Sequence, residues 1–227
     1  ENTMPTEVSV KLYRLSELKD VSGRGYLRAV ESLRDSAEPE SAAADEHVIG
    51  LLLKAGFEDP IVSVDASCTQ GSGASFTARR VDVRKMLAYL EDPTSEGTDC
   101  PYPDGKVPAI AGYVKDAILA CPEVFASIDR TESAYAHEGT CRVEVTEALD
   151  AQGNDLPDDV VDAIRESIDA VRRDFCRWIH ELQRSYDDDA NSESALREYA
   201  DANGYLFTER GRIAGYGYGH GAFHPSL

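Results

Sequence analysis

The sequence predicts an α+β fold: antiparallel β-hairpins forming a small sheet, packed against several helices, one of them long and near the C-terminus. Three observations carry this. Residues 60–80 and 124–147 each alternate apolar and polar side chains on both sides of a glycine-containing turn, as hairpins do. Val161, Ile164, Ile168, Val171, Phe175, Trp178 and Leu182 recur at spacings of three and four, the mark of one apolar helix face. Strands and helices mix without the βαβα rhythm of a parallel sheet.

Taken in order, residues 7–14 alternate, with Val8, Val10 and Leu12 on one side and Ser9, Lys11 and Tyr13 on the other, so a half-buried strand is expected. A helix over 24–36 places Tyr26, Val30 and Leu33 on one stripe. A second over 42–55 carries Val48, Leu51, Leu52 and Ala55, and Gly56 follows where a left-handed cap is wanted. In the first hairpin Val62, Val64, Ala66 and Cys68 alternate outward, Gln70-Gly71-Ser72-Gly73 turns, and Ala74, Phe76 and Ala78 return. A helix over 82–90 points Val83, Met86, Leu87 and Leu90 inward. Residues 91–106, rich in proline, glycine and acid, read as a loop, and 107–119 as a short helix ending before Cys121-Pro122.

The second hairpin turns at His137-Glu138-Gly139 and returns with Cys141, Val143 and Val145. A polar connector, 150–157, leads to the long helix of 158–186, where Pro157 and Asp158-Asp159 suit a helix N-terminus. Asp187-Asp188-Asp189 oppose the helix dipole, so the helix is expected to stop there. Ser192 is placed to cap a helix over 193–202, closed by Gly204, and 205–208 reads as a last short strand. From Gly211 onward the glycines and aromatics predict irregular coil. Two regions are expected, 1–150 with the hairpins and 151–227 with the long helix and tail, packed as one domain. Phe175 and Trp178 make the apolar seam wide, which favours burial against the sheet over a two-stranded coil.

The 227 residues carry 42 Asp+Glu against 23 Lys+Arg, a formal net charge of −19. Such a chain is repelled by nucleic acid and by anionic membrane surfaces. No apolar run approaches the roughly 20 residues that span a bilayer, and no signal-peptide pattern opens the sequence. A cytoplasmic protein is expected. The five cysteines are odd in number and widely spaced with no Cys-x-x-Cys pair, so reduced, buried thiols are expected and zinc is not.

Two segments stand out together. One is the opening Leu12-Tyr13-Arg14-Leu15-Ser16-Glu17-Leu18, followed later by the stretch from Ser67 to Thr77 containing Gln70-Gly71-Ser72-Gly73 and Phe76; the other is the long helix running into the stretch from Ala200 to Gly211 containing Asn203, Tyr205, Phe207 and Thr208. Together they resemble a family of small acidic phage and prophage proteins labelled antitoxin-like or hypothetical. The resemblance covers about half of the chain and rests on turns and strand edges. It implies an origin in a mobile element and no enzymatic role. The proline-rich 91–106 loop and the Gly/Tyr tail depart from the family's pattern.

No motif marks an active site. Gln70-Gly71-Ser72-Gly73 lacks the lysine and following helix of a P-loop. Cys68 has no histidine near it in sequence, and His220 and His224 have too few companions for a metal. No cofactor is expected. The outer face of the long helix carries Asp158, Asp162, Glu166 and Asp169 at spacings of four and three, and Asp187, Asp188 and Asp189 form a second cluster. Successive carboxylates about 6 Å apart along the axis can imitate a phosphate backbone. Residues 144–201 hold 17 Asp+Glu and 6 Lys+Arg, although pairs such as Asp169 with Arg173 neutralise part of the row.

The expected function is that of a non-enzymatic mobile-element protein. It would bind a host protein with a basic surface, a nucleic-acid-dependent defence complex such as a CRISPR effector or restriction enzyme being the natural target. An antitoxin acting on a partner toxin is the alternative, and an enzyme using Cys68 or a tail histidine is a third class. The chain is expected as monomer or dimer, without direct nucleic-acid or membrane contact.

Overall fold

The structure, a computed structural model, describes residues 10–36, 41–66, 71–93, 99–133 and 135–216. In chain order the strands are β1 (Leu12–Tyr13), β2 (Phe57–Glu58), β3 (Ile61–Asp65), β4 (Gly73–Asp82), β5 (Val124–Arg130), β6 (Cys141–Ala148), β7 (Tyr205–Thr208) and β8 (Ile213–Tyr216). The helices are α1 (Leu15–Val21), α2 (Gly23–Arg34), α3 (Glu46–Lys54), α4 (Val83–Glu91), α5 (Gly112–Ala120), α6 (Asp158–Ala190) and α7 (Glu193–Ala202). The class is α+β with antiparallel sheets, as the two hairpins predict. No helix among the described residues is long and apolar enough to cross a membrane.

The chain divides into two compact units, residues 40–186, and residues 1–39 with 187–227. The expected boundary at residue 150 does not coincide with this division. The seam of α6 needs the sheet that the preceding hairpins build, so the 150–157 connector is a turn inside one unit. In it Leu149 bridges to Asp155, and the Leu156 amide donates to the Ala148 carbonyl at 3.1 Å.

In the unit of 40–186 the strand order is β2-β4-β5-β6, with β3 also on β4. The β3–β4 hairpin pairs Val62 with Phe76 and Val64 with Ala74. On β4 and β5 the small and aromatic residues Ala74, Phe76, Ala78, Val81, Val124, Ala126 and Ile128 are buried. Ile164, Ile168, Val171, Phe175, Cys176 and Ile179 of α6 close over them in one core. Phe175 sits in an aromatic cluster, its ring 5.6 Å from Phe57, 6.4 Å from Phe76, 5.9 Å from Tyr89, 6.4 Å from Tyr102 and 6.2 Å from Trp178. Val161, Trp178 and Leu182 are half-buried at the rim of that core. The buried stripe is thus wider than the heptad seam and takes in Arg172 and Gln183.

Helix ends differ from the expected ones for local reasons. α3 begins at Glu46 because the Asp45 carboxylate accepts the His47 amide at 2.7 Å. α5 begins at Gly112, five residues later than expected from 107, since the residue before Pro108 is biased away from helical backbone. α6 does not stop at Asp187 but runs to Ala190. The dipole penalty of exposed carboxylates is only about 0.3–1 kcal/mol. The Asn191 amide and side chain both donate to the Asp187 carbonyl, at 3.0 and 2.7 Å, which satisfies the last turn.

The unit of 1–39 with 187–227 has its own core of Tyr13, Leu15, Leu18, Ala29, Val30, Leu33, Leu196, Ala200 and Phe207. Its sheet order is β1-β7-β8, with Tyr13 opposite Phe207. The expected N-terminal strand is shorter, Leu12–Tyr13, and buries the Tyr13 side: Tyr13 is buried and Val10 is 53 % exposed. Val8 lies outside the described residues. α1 and β8 were not expected; the first is a single short Leu15/Leu18 repeat, the second a glycine-rich strand.

Two glycines lock this unit. A Cβ on Gly25 would overlap the Glu209 carbonyl, and one on Gly211, whose φ is +82°, would overlap the Gly25 carbonyl. Gly211→Ala is therefore expected to destabilise this unit by at least about 1–3 kcal/mol. Amide exchange at Tyr13 and Phe207 should accelerate about tenfold; unchanged exchange would refute the contact.

Candidate functional site

The predicted acidic row starts at the N-terminus of α6, where Asp158 and Asp159 occupy the first turn and the Val160 and Val161 amides bond Pro157. Asp158, Asp162 and Glu166 are exposed. Arginines thread through the row. Asp162 Oδ1 accepts from Arg165 Nη2 at 2.7 Å. Asp169 Oδ1 accepts from Arg172 Nε at 2.9 Å and Nη2 at 2.6 Å, while Asp169 Oδ2 is 2.7 Å from Arg173 Nη2. Arg177 bridges Asp174 and Glu138, at 3.0 and 3.3 Å. The middle of the helix face is therefore close to neutral.

Asp169 departs from the expected role. Its side chain is 24 % exposed and it holds the guanidinium of Arg172, which is 1 % exposed. It is a partner of a buried charge and not a member of a solvent-facing row.

The unneutralised acid lies just before that point. From Val143 to Ile164 the chain has seven carboxylates, Glu144, Glu147, Asp150, Asp155, Asp158, Asp159 and Asp162, and no lysine or arginine. All but Asp150 are exposed. They run from the outer strand β6 through the connector into the first turns of α6. Asp150 accepts from the Gln152 and Asn154 amides, both at 2.8 Å, and from the Asn154 side chain. Those bonds hold its carboxyl below the usual range, so it stays charged. The sequence reading singled out the helix row; this margin was findable as the base-free stretch richest in acid.

The second cluster closes α6. Asp188 and Asp189 are exposed and Asp187 is half-buried.

Two of the clefts along the middle of α6 border the sheet. One, of about 260 Å³, is lined by Arg142 and Val143 of β6 and by Arg165, Glu166, Asp169, Arg172 and Arg173 of α6, with Gly139 and Cys141 at its edge. The other, of about 320 Å³, is lined by Ser72, Gly73, Ala74, His137, Glu138, Cys176, Arg177 and His180. Gly73 makes this second cleft possible, because a Cβ there would press on His137.

Cys68, His220 and His224 lie outside the described residues. The fold does bring another thiol, Cys176, into a cleft with His137 and His180. Burial pushes the Cys176 thiol up to about 12, with the Arg172 charge working weakly against it. A thiol held that high supplies almost no thiolate near neutrality. The His137 Nδ1 already accepts the Gly139 amide at 3.0 Å, and its ring stacks on Tyr135. The four described cysteines, Cys100, Cys121, Cys141 and Cys176, are buried and in no disulfide. Among the described residues no group of three or more His, Cys, Asp or Glu could hold a metal ion.

The family model of a domain of unknown function, DUF8835, matches residues 40–193, more than half of the chain. The chain belongs to the DUF8835 family. No curated protein and no solved structure matches it. The DUF8835 region begins with the unit of 40–186 and ends at the start of α7, so it contains the whole of α6, the acidic margin and both clefts. Of the phage-protein resemblance, Leu12–Leu18 and the stretch from Ala200 to Gly211 fall outside it, and the Ser67–Thr77 stretch and the long helix lie within it.

Proposed function

We propose that this DUF8835 protein is a non-enzymatic binding factor that inhibits a basic protein partner through the acidic margin of residues 144–166. The observation that carries the reading is the run of seven carboxylates with no base between Val143 and Ile164, nearly all exposed and carried on ordered backbone. Asp158, Asp162 and Glu166 form its helical part, and Asp187, Asp188 and Asp189 are a second candidate surface. Asp169 serves Arg172 instead. Charged side chains on an outer strand also deter edge-to-edge pairing. That purpose needs a few charges on β6 and leaves those of the connector and α6 unaccounted for.

The partner is a nucleic-acid-binding protein whose phosphate-binding surface the carboxylates occupy. A phage or prophage origin, implied by the resemblance, makes a host defence complex the natural target and the host cytoplasm the place of action. Complementary charge acts mainly on encounter rate and specificity, and is screened over about 8 Å at physiological ionic strength.

The test is capture of partners from host lysate with the full chain, followed by association rates across ionic strength. Asp158→Lys, Asp162→Lys and Glu166→Lys together should slow association at least tenfold at low salt and leave the melting temperature unchanged. Added DNA or RNA should compete. A rate independent of salt and of the reversal would reject the acidic margin. Capture of a small toxin without nucleic-acid affinity would favour the antitoxin reading.

A further inference from the structure

Four arginines gather in the cleft between β6 and α6 of this acidic chain. Its lining carries Arg142, Arg165, Arg172 and Arg173 against Glu166 and Asp169. Among the described residues Arg172 is the most buried charged side chain, 1 % exposed, and it forms part of the wall. Its Nε and Nη2 donate to Asp169, and its Nη1 meets only the Cys176 sulfur, at 3.9 Å. These partners engage three of the five N–H donors that a guanidinium carries. Arg142, exposed on β6, makes no ion pair among the described residues.

We propose that this cleft binds a phosphate-type oxyanion. A buried cation with donors to spare, facing a polar cleft, is the arrangement that recognises such groups, because guanidinium matches phosphate oxygens in paired, charge-assisted hydrogen bonds. The arginines come from two elements, so they offer donors from more than one side. A tetrahedral dianion can engage Arg172 at the base and Arg142 or Arg165 at the rim together. A simple carboxylate would repeat what Asp169 already supplies to Arg172 and Arg173. The volume of about 260 Å³ admits a phosphate or a phosphomonoester headgroup. The net charge of −19 repels anions at long range, so the binding rests on short-range contacts in the cleft. This site does not depend on the acidic-margin reading, which could fail with the cleft intact.

The test uses the full chain and inorganic phosphate at constant ionic strength, read by the arginine Nε–H signals in ¹H–¹⁵N spectra. Saturable shifts at Arg172 and Arg165 are expected with phosphate and not with acetate. Arg142→Gln with Arg165→Gln should weaken binding at least tenfold while leaving the Asp169–Arg172–Arg173 group and the melting temperature intact. If that double variant fails to fold, Arg142→Gln alone should weaken binding at least threefold. Shifts that grow without saturating, equal response to acetate, or unchanged affinity in the variants would overturn the proposal and leave Arg172 as a structural ion pair only.

Discussion

Phe175→Ala is expected to cost about 3–5 kcal/mol of unfolding free energy. Phe175 is fully buried and its ring meets five other aromatic side chains from β2, β4, α4, α6 itself and the loop holding Tyr102. Removing it leaves a void and takes away its edge-to-face contacts with Phe57, Phe76, Tyr102 and Trp178. The single tryptophan, Trp178, is 6.2 Å away and belongs to the same unit, so its fluorescence reports the unfolding of residues 40–186. A loss below roughly 1 kcal/mol would mean that the seam of α6 is not the centre of this core.

Asp169→Ala should cost about 3 kcal/mol, the lower end of what removing one partner of a buried ion pair does. Arg172 would keep its charge, almost wholly buried, with a distant sulfur as its remaining protein partner. Asp169 is itself 24 % exposed, which tempers the loss. Asp158→Ala or Asp162→Ala, at exposed positions of the same helix, should stay within about 0.5 kcal/mol. Adding Arg172→Met to Asp169→Ala should recover part of the stability, because the unpaired charge is gone. If Asp169→Ala is as mild as Asp158→Ala, Arg172 is hydrated and the buried-pair account fails. Urea titration followed at Trp178 measures all four variants.

The elements most legible in the sequence were those whose pattern is set by the protein's own core. The hairpins and α6 alternate or repeat because each buries one face, and Ser192 and Gly56 mark helix ends by local chemistry alone. Two local rules misled. Alternation over 7–14 could not say which face is inside, and the sheet of the terminal unit chose Tyr13 over Val10. Three aspartates were expected to end α6, but surface dipole effects are smaller than the capping that Asn191 supplies.

The candidate site was half legible. Asp158, Asp162 and Glu166 fall where helical spacing puts them, exposed. Arg172 was invisible because arginine on a helix reads as solvent-facing. The signal lay in its company: Ile168, Val171, Phe175 and Cys176 surround it at helical spacings, and Asp169 stands three residues before it. A charge flanked so closely by apolar residues, with an acid at i−3, is a candidate for burial on that ground alone.

The pairing of Leu12 with Thr208 and of Tyr13 with Phe207 bears on the order of assembly. These partners stand almost the whole chain apart, and every residue of the 40–186 unit is made between them. The interior unit can complete its contacts as soon as α6 has left the ribosome. The terminal unit cannot begin its sheet until β7 arrives, and a loop of that span adds closure entropy that only a folded, compact insert reduces. Until then Leu15, Leu18 and Leu33 wait without their partners Leu196 and Phe207. Synthesis of this protein thus has a late, aggregation-exposed interval at its N-terminal end.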